Sequence, residues 1–154
     1  MDTIDFRKDL FKLIDYFDSK FYDAFGELRF FIRNYRNILK EEEINILIDI
    51  FKDAIDNAKL KISENKWIEK NCYYFAGNSF LNEKWQEKFQ NKSFTLLELK
   101  NYIEEIKYTK DYEFSLRVPE VTLRDDVEYE KDIICLLKKT YISILEDIRY
   151  VRLR

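Results

Sequence analysis

Arg29, Arg33, Arg36 and Lys40 recur at spacings of four, three and four, beside Phe30 and Tyr35. On a continuous helix this spacing makes one basic stripe. Guanidinium and ammonium groups in a row bind phosphate, so a phosphate- or nucleic-acid-binding face is one chemistry open to the chain. The competing account is a solvated helix face paired with a neighbour. The formal net charge of -3 favours that account, since no basic surplus elsewhere extends the track. Glu42, Asp49, Asp53 and Asp56 of the following helical segment are the expected partners, in exposed pairs that are each worth little.

A second constellation lies between Asp111 and Asp132, where eight acidic residues stand against three basic ones. Asp111, Tyr112, Glu113, Asp125, Asp126, Glu128 and Tyr129 combine clustered carboxylates with aromatic rings, the chemistry that docks on a basic protein. The alternative role for these carboxylates is to cap the last helix and charge a loop.

Other chemistries are closed by composition. The chain has no His, which removes the commonest general base near neutral pH and the commonest metal ligand. Two isolated cysteines, Cys72 and Cys135, make no zinc site, and they are expected to be reduced and buried. Two glycines, Gly26 and Gly77, are too few for a P-loop or a dinucleotide fingerprint. Carboxylate-only catalysis stays open, but 30 Asp and Glu make it unspecific. The chain is expected to be a binding protein and not an enzyme, with no cofactor and no metal.

Helices must position these groups. Apolar residues recur at three and four over 3–36, 44–62, 96–106 and 127–151, each pattern predicting a helix. The first is long, with Gly26 the expected place for a bend or split. Glu41 to Glu43 suit the start of the second, and Thr95 with Glu98 forms a capping box for the third. Residues 63–92 are irregular, with Trp67, Trp85 and Phe89 as anchors. The predicted class is all-α, an antiparallel bundle with an irregular middle section, formed by residues 1–154 as one domain. The alternative is an α+β domain with a small strand pair near 112–124, where Phe114, Leu116 and Val118 alternate with polar residues.

The amino terminus lacks the marks of a secretory signal and no run of 18 apolar residues occurs, so a cytoplasmic chain with no membrane partner is expected. The Lys, Ile, Asn, Asp, Tyr and Phe bias resembles that of small AT-rich accessory genes of bacteria and phages, among which toxin-immunity proteins are frequent. The resulting expectation is an immunity-type inhibitor that covers the basic surface of a cytoplasm-acting toxin, such as a nuclease. A phage-derived anti-defence inhibitor or other adaptor is second, and a nucleic-acid-binding module third.

Overall fold

The structure, a computed structural model, describes residues 4–63, 74–77, 80–89, 92–107, 112–119 and 127–151. Among the described residues six helices carry the fold: α1 (Ile4–Ser19), α2 (Phe21–Asn34), α3 (Glu41–Asp56), α4 (Phe80–Phe89), α5 (Leu96–Lys107) and α6 (Val127–Arg149). The mostly helical bundle expected from the 3.6-residue periodicity is what forms. Three short strands are added to it: β1 (Lys59–Ser63), β2 (Tyr74–Ala76) and β3 (Ser115–Pro119). β3 is central, parallel to β1 with Leu60 opposite Leu116, and antiparallel to β2 with Phe75 opposite Leu116. The alternation around Leu116 therefore does mark a strand, but its partners come from 59–63 and 74–76; Val121 and Leu123 lie outside the described residues.

The expected long first helix is corrected. The chain breaks at Lys20, whose φ of -140° and ψ of 64° are not helical, and Gly26 lies undisturbed inside α2. Contacts between the two halves pair early with late residues: Phe6 meets Phe31 at 5.2 Å between ring centroids, Lys12 meets Glu27 at 3.6 Å, and Phe17 meets Phe21 at 5.4 Å. α1 and α2 are thus an antiparallel hairpin. The cause is burial. Folding back sets the two apolar stripes against each other, and Leu10, Leu13, Phe17, Phe21, Leu28 and Phe31 are left 1% exposed or less. Each such side chain contributes roughly 1.5–3 kcal/mol relative to exposure, which a straight helix would forgo.

Gly77 secures the break. Its N–H donates to the Asp18 carbonyl at 3.0 Å, serving a carbonyl of α1's last turn. A methyl group at Gly77 would overlap Asp18 Oδ1 and lie 3.1 Å from both Asp18 Cγ and the Asp18 carbonyl oxygen. Only a residue without Cβ lets the backbone come so close to this fully buried carboxylate.

α3 starts as its acidic entry predicts, with the Lys40 N–H donating to Glu43 Oε1 at 3.0 Å. It ends at Asp56, six residues before the predicted limit at Ile62, because Asn57 closes it by donating Nδ2 to the Asp53 carbonyl at 2.8 Å. The chain then enters β1. The α5 cap forms as predicted, the Glu98 N–H donating to Thr95 Oγ1 at 3.1 Å. α6 buries Tyr141, Leu145 and Ile148, and Val151 just beyond its end, along its predicted stripe. Trp85 and Phe89 are buried anchors as expected, and Trp67 lies outside the described residues. Cys135 is exposed, not buried as expected: it sits on the side of α6 away from that stripe. Cys72 is outside the described residues.

Candidate interaction surface

The basic stripe does not persist as one row. Arg29 and Arg33 are on α2, which ends at Asn34, so Arg36 falls in the turn that follows and Lys40 precedes α3. Nor does α3 supply the counter-charges. α2 spends its apolar face on α1 and packs its flank on α6, where Phe25 stacks on Tyr141 at 5.1 Å, and Arg29 pairs with Asp147 at 3.5 Å. α3 packs on α5 and α6 instead, and Asp49 pairs with Lys100 of α5 at 3.7 Å. Arg33 and Arg36 are exposed and make no ion pair among the described residues. With Phe30, Asn34 and Asn37 they border a shallow depression of about 410 Å³. A basic side chain in a helix's last turn is also what the negative end of the helix dipole favours, so Arg33 has a structural role there.

Of the acidic surface, Tyr112 and Glu113 can be placed. Asp111, Asp125 and Asp126 lie outside the described residues; Glu128 and Tyr129 fall in the first turn of α6. Tyr112 and Glu113 stand at the mouth of an open cleft of about 480 Å³ between the second halves of α3 and α5. Asp53, Ala54 and Asn57 line it from α3, and Ile103, Glu104 and Lys107 from α5. The segment 112–114 closes one end, where Phe114 accepts a hydrogen bond from the Lys59 N–H at 3.3 Å and starts the β1–β3 ladder.

Its floor is core. Phe17, Ile50 and Phe114 reach it from the buried interior, and Phe17 stacks on Phe114 at 5.7 Å. Its rim is charged in both signs, with Asp53, Glu104 and Glu113 alongside Lys59, Lys100 and Lys107. Burial, and then the negative charge of Asp18 behind it, push the Tyr112 phenol well above its ordinary value, so its hydroxyl stays neutral and able to donate. An apolar floor, a neutral phenol and a charged rim can hold a side chain or small organic group.

The spacing of residues pointed to Tyr112 and Glu113 but not to Asp53, Ala54, Asn57, Ile103 or Glu104. These reach the cleft only because α3 and α5 lie side by side, a tertiary fact with no local signature. Exposed aromatics stand elsewhere as well: Tyr22 is 72% exposed, and Phe30 and Tyr150 each 54%. Among the described residues no group of three His, Cys, Asp or Glu is placed to hold a metal, and no helix is long and apolar enough to cross a membrane. Compared with protein-family models, curated proteins and solved structures, the chain matches none.

Proposed function

We propose that the chain is a protein-binding inhibitor of the immunity type, which neutralises a basic, cytoplasm-acting bacterial toxin such as a nuclease by covering its active surface. One observation carries the reading: Tyr112 and Glu113, singled out for charge and aromaticity, stand on a cleft beside Asp53 and Glu104, so carboxylates and an aromatic ring meet around a concavity. Pockets rimmed this way receive the anchor residues that dominate binding energy. The absence of His from the sequence supports binding over catalysis. Co-expressing the chain with the product of the neighbouring gene, and following growth and complex formation by gel filtration, tests the reading. Restored growth with a stoichiometric complex is the expected result; unprotected cells and no complex would sink it. An anti-defence inhibitor would use the same cleft against a different protein.

A second reading, a nucleic-acid-binding module, draws on exposed Phe30, which borders the same depression as Arg33 and Arg36, as a stacking platform with phosphate contacts. The carbonyl end of α2 at the same place repels phosphate and ranks it lower.

A further inference from the structure

The outward face of α2 is not accounted for by packing inside the chain. Tyr22, Gly26 and Phe30 follow one another at four-residue steps, so they share one face of the helix, and all three are exposed. Phe31 and Phe25 carry the contacts to α1 and α6 and leave this face to solvent. Of the five large hydrophobic side chains exposed by more than half among the described residues, two are these rings. Gly26 between them costs about 1 kcal/mol relative to alanine in a helix interior. No neighbour within the chain requires it, since an added Cβ would meet nothing within 4 Å. What it makes is a notch, two projecting rings with bare backbone between them, and such a notch lets a second helix come close.

The order of residues around Gly26 selects the occupant. Tyr22 and Phe30 stand four residues before and after it, while Asp23 and Arg29 stand three before and after, a carboxylate on one side and a guanidinium on the other. An antiparallel copy of the helix crossing at Gly26 about a two-fold axis brings Phe30 to the level of the other's Tyr22, and Arg29 to the level of the other's Asp23, and does so twice. Asp23 is exposed and joins no ion pair among the described residues. Arg29 holds Asp147 at 3.5 Å and keeps donors to spare. A foreign surface of one charge would match one end of this face and oppose the other. We propose that α2 is a self-association face, which pairs with α2 of a second copy of the chain, antiparallel and crossed at Gly26. One pair of helices covers less than about 1,200 Å² in total, the range of transient interfaces, so the dimer forms reversibly and at high protein concentration. The inference goes beyond the inhibitor reading and uses none of the residues that line the cleft.

Sedimentation velocity of the full chain, from low micromolar to near-millimolar concentration, tests this. Wild type should pass reversibly from monomer to dimer. Asp23→Arg and Arg29→Asp should each weaken association about tenfold, because each sets like charges at the same level in both pairs. Mixed in equal amounts, the two variants should associate as well as wild type does, since every charge then meets its opposite. Gly26→Gln should abolish the dimer while raising the melting temperature of dilute protein, because glutamine favours helix and its Cβ meets nothing inside the chain. A wild type that stays monomeric throughout, a dimer that survives Gly26→Gln, or a mixture no tighter than its separate components would each overturn the proposal. Should Arg29→Asp unfold the chain, Gly26→Gln decides alone: a folded monomer supports the crossing and a persistent dimer refutes it.

Discussion

The α1–α2 break and the α3–α5 cleft share two rings, Phe17 and Phe114, and differ in what else surrounds them. On the break side Phe21 is ringed at centroid distances of 5.0 to 5.7 Å by Phe17, Phe25, Phe51, Phe75 and Phe114. Aromatic volume from three helices, from β2 and from the residue before β3 fills the space there. On the cleft side α3 and α5 present Ala54, Asn57 and Glu104 to the gap, too small or too polar to fill it. One wall is therefore stability and the other opportunity. A gap between packed helices is left open by the residue types that border it, not by the helices themselves.

The sharpest way to break this comparison is to remove the ring at its centre. Phe21→Ala should cost about 3–5 kcal/mol, since every neighbour loses its contact and the rigid surroundings cannot collapse into the space. Denaturant unfolding measures it. A loss below about 1 kcal/mol would mean the aromatic cluster is not the packed side that its geometry describes.

Gly77→Ala comes next. The added methyl meets Asp18 Oδ1 and the Asp18 carbonyl together, so either the buried carboxylate or β2 must move, at about 1–3 kcal/mol. Thermal melting would show the drop. Unchanged stability would place Gly77 away from α1. Gly26→Ala is the control and carries the opposite sign: an added Cβ meets nothing within 4 Å in a helix interior, so stability should rise by about 1 kcal/mol.

These two glycines also show what was readable in advance. Gly26 was the natural place to expect a bend, because glycine weakens a helix. The chain breaks at Lys20 instead, and periodicity hides it: Phe17 and Phe21 are four apart, so the stripe continues in sequence while the chain reverses in space. Burial against α1 decides the site, and no local propensity records that. Where the cause is local, the reading holds, as at the Thr95 cap and the stripe of α6. The end of α3 shows the limit again, for Ile62 keeps helical spacing while Lys59–Ser63 pairs with a strand more than fifty residues later. The cleft was half legible: Tyr112 and Glu113 advertise themselves by charge and ring, whereas Asp53 and Glu104 look like any carboxylate on a helix.

The smallest effect at neutral pH is expected from Tyr112, which links the two regions, since its ring lines the cleft while Asp18, at the end of α1, raises its pKa. Tyr112→Phe keeps the ring and removes only the hydroxyl, so near pH 7 stability should change little. In alkali the two proteins should part. Burial first, and the Asp18 carboxylate second, hold the folded phenol protonated above its ordinary pKa of 10.0. The unfolded chain therefore releases this proton first as pH rises past about 10, and from there the wild type loses stability with each further increase. Below that value both states keep the proton and no penalty exists. The phenylalanine variant has no proton to lose at this site, so its stability should fall less steeply above pH 10. It will not be level, because burial also raises Tyr102 and Tyr141. Urea midpoints of both proteins at pH 8 and again above pH 10 make the comparison. Equal slopes would show that the Tyr112 hydroxyl faces water freely and that Asp18 does not act on the cleft wall.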